Sequence, residues 1–249
     1  MTATLSRRPS TWQRTTWRHP EWPVAALAVT AWLALVVQHA AAGLFHGAPH
    51  HASAGAGVSV GPAPNLGSWA LMIVATMLPT LLPDARTIAV RGKWRRRYRG
   101  PALFTAAYVA VWVAFGAALL AVVATVGLAG APAVAAGLGL AALWELTRWK
   151  RLALRACHRV APLPPDGRKA DVAALRAGAG NATRCIAACS PMMMPMALAP
   201  HPLGFWLMLL LAGVVAAEKL VVKAVDRLPG FALGLGVLAL AVAVGALPA

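Results

Sequence analysis

Long apolar runs alternate with short polar connections along this chain, and the pattern predicts helices over about 23–45, 66–90, 101–127, 132–149, 184–200, 203–222 and 230–247. At 1.5 Å per residue, runs of this length cross a hydrocarbon core of ~30 Å. The expected fold class is all-α, a polytopic transmembrane bundle of seven helices. The polar stretches have distinct characters. Residues 1–22 form a lead-in with Arg7, Arg8, Arg14 and Arg18 among Trp12, Trp17 and Trp22, suited to a cytoplasmic interface. Residues 46–65 are small, Gly/Pro-rich and free of Lys and Arg, which reads as an extracytoplasmic loop. Residues 150–183 read as a cytoplasmic loop, broken by Pro162-Leu163-Pro164-Pro165, with an amphipathic surface helix over roughly 168–179. Residues 23–249 make one helical domain. His39 to Gly43 imitates a signal-peptidase site, although an apolar run this long suits a retained anchor.

Charge orients the bundle. With an inner N-terminus and an outer C-terminus, the inner segments and helix ends hold all 23 Lys and Arg, and the outer loops hold none. The formal charge of +16 is thereby a matter of topology, with the lipid bilayer as partner and no nucleic acid required. Composition agrees: 59% hydrophobic and 12% charged is too apolar for one soluble core. The expected location is a bacterial plasma membrane. Asn181-Ala182-Thr183 matches a glycosylation acceptor but falls on the inner side.

Candidate chemistry gathers in Arg184 to Pro200, which holds two of the three cysteines and four of the eight methionines. At 100° per residue, Cys185, Cys189, Met192 and Met196 fall within roughly 60° of one another, with Met194 opposite. Pro191 and Pro195 are expected to bend or break this helix. Pro79 and Pro83 mark a second irregular helix, in which Met72 and Met77 lie deep and Trp69 suits an interface. Gly116, Gly127, Gly137 and Gly139 are small residues that let helices approach. Cys157 lies in the inner loop; Met193 lies with Met192 and Met196 from mid-membrane outward. His46, His50, His51 and His201 are outside, with His39 a turn or two back. From outside to inside the order is imidazole, thioether, thiolate, which suits a pathway for a soft cation such as Cu(I). Asp84, Glu145 and Glu218 are acidic groups near the spans, suited to charge compensation or a coupled proton; Asp84 and Arg86 also suit a simple interfacial pair.

Four segments taken together, WALMIVATMLPTLLP (Trp69 to Pro83), ELTRWKRLALRACHR (Glu145 to Arg159), GNATRCIAACSPMMM (Gly180 to Met194) and Glu218-Lys219, resemble in order and spacing the bacterial family called domain of unknown function 2182. Its members are described as predicted metal-binding integral membrane proteins. The resemblance covers roughly residues 65–225. It singles out Trp69, Met72, Met77, Pro79, Pro83, Thr147, Lys150, Leu154, Cys157, Cys185, Cys189, Met193, Glu218 and Lys219. Departures fall at Ala153 and Ala188, where members carry further cysteines, and at His158, where arginine is usual.

The leading expectation is a non-enzymatic membrane protein that binds or conducts copper or a similar soft metal, served by a soluble metal-binding partner. Two other classes compete with it. One is a membrane thiol-redox enzyme using Cys185 and Cys189, whose four-residue spacing lacks the CxxC arrangement; the other is a structural or assembly subunit without metal. No phosphate-binding loop, serine elbow or HExxH motif is present.

Overall fold

The computed structural model describes residues 19–45, 65–128, 130–157, 163–164, 166–199, 203–220 and 228–245. Among the described residues the regular elements are helical: α1 (Trp22–Phe45), α2 (Leu66–Arg91), a 3-10 turn (Trp94–Arg96), α3 (Arg99–Val126), α4 (Gly130–Glu145), α5 (Arg148–Cys157), α6 (Gly167–Leu198), α7 (Leu203–Leu220) and α8 (Leu228–Ala243). The histidine loop 46–64 and His201 lie outside these residues.

Local chemistry explains the helix ends. Asn65 caps α2, its side chain accepting from Ser68 N at 2.8 Å. Gly127 ends α3 in the left-handed conformation, φ 70°, which a side chain would oppose. This glycine is therefore a terminator and not a packing residue. The expected helix over 132–149 stops at Glu145 and turns by 79° into α5. Thr147 sits at the corner: its hydroxyl donates back to Trp144 O at 2.8 Å and accepts from Lys150 N at 3.1 Å, closing one helix and capping the next.

The expected inner loop 150–183 is corrected more fully. It contains most of α5, and the presumed surface helix joins the sulfur segment as one continuous α6 of 32 residues. Asp166 starts α6, accepting from Gly167 N. Pro191 and Pro195 lie inside it without ending it, although each ring removes an N–H and crowds the carbonyl four residues back.

Helix α6 is the axis of the bundle, touching α3, α4, α5 and α7, while α2 joins α1, α3 and α7, and α8 lies on α4. Two close crossings need glycine. A Cβ on Gly178 would come within 2.1 Å of Phe104 O, and one on Gly116 within 2.0 Å of Trp69 Nε1. Gly137 backs onto Pro195, whereas Gly139 faces open space. Trp69, expected at an interface, is buried, with its indole N–H on Trp112 O at 3.0 Å.

Among the described residues, four helices or helix segments are long and apolar enough to cross a membrane, within α1, α2, α3 and α7; the bent pair α4/α5 would make a fifth, and α8 is a shorter apolar helix. Large apolar side chains face outward on α1 (Leu27, Leu33, Val37) and α8 (Leu233, Val237, Leu240). The polar end is stapled by ion pairs. Lys93 lies 2.6 Å from Asp166, and Arg96 and Arg99 both engage Asp171. The bond from the Lys93 ammonium holds the Asp166 carboxyl below the usual carboxylate range.

Candidate functional site

Helices α2, α3, α6 and α7 meet around Cys185. Tyr108 on α3 donates its hydroxyl to Cys185 Sγ at 2.9 Å, and the Lys219 ammonium on α7 lies 2.6 Å from the same sulfur. Cys189, one turn along α6, hydrogen-bonds to it as well. Met77 on α2 closes the remaining side, its Sδ 3.9 Å from Cys185 Sγ. Three donors converging on one sulfur form a socket for a thiolate, which is also the metal-binding form of cysteine. Helix packing alone positions them, since each comes from a different turn of an apolar helix.

Beside this sulfur set lies an ionic one. Lys150, at the start of α5, places Nζ 2.7 Å from Glu145 Oε1 and 2.8 Å from Glu218 Oε2, with all three side chains fully enclosed. The 79° corner is what aims Lys150 back at Glu145, five residues earlier. Glu218 and Lys219 are consecutive on α7, so one turn of helix serves both sets. Cys157, at the end of α5, is buried in the same core as Cys185 and Cys189.

The sequence-derived candidates are thus distributed unevenly. Cys185, Cys189 and Met77 come together, with Cys157 close by. Met72, Met192, Met193 and Met196 are buried in the same core, but α6 rises ~16 Å from Cys185 to Met196. Those sulfurs form a file along the bundle and not one coordination shell. Glu145 and Glu218 meet through Lys150. Asp84 lies apart from them: it accepts from Asn181 Nδ2 at 3.0 Å, and Arg86 approaches Glu21 at 3.7 Å. That bond also assigns Asn181, buried on α6, to helix packing, which excludes it as a glycosylation acceptor. His39 stacks on Phe205 with ring centroids 4.0 Å apart. His46, His50, His51 and His201 fall outside the described residues. Tyr108 was not singled out by the sequence reading, although a phenol within an apolar span is itself a signal, in a chain with two tyrosines.

The donor set fits a soft monovalent ion better than a hard or divalent one. Among the described residues no group of three or more His, Cys, Asp or Glu side chains could hold a metal. Two cysteines and thioether sulfur are what remain, the set that soft ions prefer. With metal–sulfur bonds of about 2.3 Å, two donors of a trigonal ion stand about 4 Å apart, and the Cys185–Met77 separation is 3.9 Å.

Comparison with known proteins agrees with this chemistry. Neither curated proteins nor solved structures provide a match. A family model does match, over residues 66–244, and it is PpoB2, described as a copper chaperone. It bears a different name from the family that the four motifs resemble, and metal handling is what the two descriptions share. The matched span begins at the first residue of α2 and includes each of the four helices that meet at Cys185, so this chain belongs to the PpoB2 copper chaperone family.

Proposed function

We propose that this protein is a multi-pass protein of the bacterial plasma membrane, with its N-terminus inside and its C-terminus outside, that binds Cu(I) as cargo and passes it on. Seven membrane-embedded helices are counted in this reading, α5 and the polar half of α6 lying at the inner face. The outward apolar side chains of α1 and α8 and the concentration of Lys and Arg at one end support it. The observation that carries the copper reading is the convergence of Met77, Cys189, Tyr108 and Lys219 on the single sulfur of Cys185.

In this reading Cys185, Cys189 and Met77 hold the ion, and Met72, Met192, Met193 and Met196 offer further thioethers along the file. The outer histidines would collect it, and a soluble copper-binding protein would exchange it. Glu145 and Glu218, sharing one ammonium, supply the negative charge that balances a cation at this depth or carry a coupled proton.

The test is metal content, by elemental mass spectrometry, of the detergent-solubilised full chain after Cu(I) loading, beside Cys185→Ser/Cys189→Ser. Copper near one per chain in the parent, and its loss in the double variant, is the expected result. Absence of copper from both would refute the reading in favour of a structural or assembly subunit.

A further inference from the structure

Lys219 is an unusual neighbour for a copper ligand. Its Nζ is 2.6 Å from Cys185 Sγ and 3.4 Å from Thr80 Oγ1, and among the described residues it forms no ion pair with a carboxylate. The nearest acid in sequence, Glu218, is turned away to Lys150. The ammonium therefore has the sulfur as its principal partner. A lysine has three donors and no acceptor, so the contact is one of cation to sulfur, made in the space that a sulfur-bound ion would enter.

We propose that Lys219 is the placeholder cation of the sulfur site and thereby its specificity-determining residue, restricting the cargo to monovalent soft ions. The inference rests on the copper reading above. Loading is then an exchange of like charges. The bond from Cu(I) to its donor's ligand breaks, the bond from Cys185 Sγ to copper forms, and the ammonium leaves the sulfur with its three protons. Copper keeps its oxidation state, and the proton that Cys189 gives up on joining the ion passes to the ligand that the copper donor releases. Thr80 already lies within reach of Nζ, and Asp84 follows one turn later on α2, so the displaced ammonium has polar groups toward which to move. A divalent ion fits this scheme poorly. It would bring a second charge into an enclosed site that still contains the lysine, and like charges at this range repel strongly where water is excluded.

The experiment uses the full chain in detergent, with Cu(I), Ag(I) as a redox-inert monovalent probe, and Zn(II), each titrated against a chelator of known affinity. Wild type is expected to take Cu(I) and Ag(I) in preference to Zn(II). Lys219→Met should shift the ratio of Ag(I) to Zn(II) affinity at least tenfold toward Zn(II), and Lys219→Arg, which keeps the charge, should restore the wild-type preference. An unchanged ratio in Lys219→Met that still binds copper would overturn the proposal while leaving the copper reading intact; absence of Cu(I) binding by wild type would overturn both. A second measurement needs no variant. Labelling of Lys219 by a membrane-permeant amine reagent, read by peptide mass spectrometry, should rise at least threefold on Ag(I) binding, and unchanged labelling with Ag(I) bound overturns the proposal.

Discussion

Consider replacing Lys150 with methionine. The substitution nearly preserves volume but removes the ammonium that pairs with both Glu145 and Glu218, whose side chains are, like that of Lys150, 0% exposed. Removing one partner of a buried ion pair costs about 3–5 kcal/mol, because the remaining charge is stranded. At roughly 2–4 °C per kcal/mol for a chain of this size, the melting midpoint should fall on the order of 10 °C. The assay is thermal unfolding of the detergent-solubilised protein, followed by fluorescence-detected size exclusion. Two controls separate burial from charge as such. Lys93→Met removes an ammonium from an exposed pair and should cost about 0–1 kcal/mol. The triple change Glu145→Gln/Lys150→Met/Glu218→Gln removes the stranded charges and should recover most of the lost stability. If Lys150→Met melted with the wild type, the three groups would be hydrated and the enclosed ionic set would be wrong.

Met77→Leu removes one sulfur while nearly conserving volume, so stability should change by less than about 1.5 kcal/mol; competition against a chelator should show Cu(I) affinity falling about tenfold, which is about 1.4 kcal/mol of lost ligation, and unchanged affinity would remove Met77 from the site. Gly178→Ala forces α3 and α6 apart, since its Cβ would meet Phe104 O at 2.1 Å; a loss of about 1–3 kcal/mol is expected, and a wild-type melting curve would contradict the crossing. Asp166, held below the usual carboxylate range by Lys93, stabilises the start of α6 above its unfolded value near pH 4, an effect lost as pH falls through its lower folded value. Hydrogen exchange at residues 167–171 should therefore accelerate only in that acid window, and Asp166→Asn should show the fast rate already at pH 7.

Hydropathy made most of the bundle readable, since an apolar run of 20 or more residues has few alternatives to a helix. What it could not show was continuity across a polar stretch. Residues 168–179 look like surface by composition, yet they extend the sulfur helix because Asp166 caps a new start and Gly178 admits Phe104. Pro191 and Pro195 do not break the helix for a related reason: proline's penalty, a missing N–H and a ring crowding the carbonyl four residues back, can be offset by packing such as that of Pro195 on Gly137. The sulfur residues were legible from spacing because i and i+4 share a helix face. Lys150 and Lys219 were legible only as family motif positions, and Tyr108 only as a phenol within an apolar span, because contacts across α3, α6 and α7 depend on helix rotations that no single run encodes. Asp84 shows the reverse case, a conspicuous acid whose bond to Asn181 serves the α2–α6 contact.

The length of α6 gives the stapled end a role at a distance. Its 32 residues form one rod of about 48 Å, and Asp171, gripped by Arg96 and Arg99, lies about 21 Å along it from Cys185. A rod translates and rotates as a unit. Slipping it by a single residue would move Cys185 by about 1.5 Å and swing it by about 100°, away from Lys219, Tyr108 and Met77 at once. The arginines at the polar end thus set the register of the sulfur they never touch, as an anchor pin sets the alignment of a shaft.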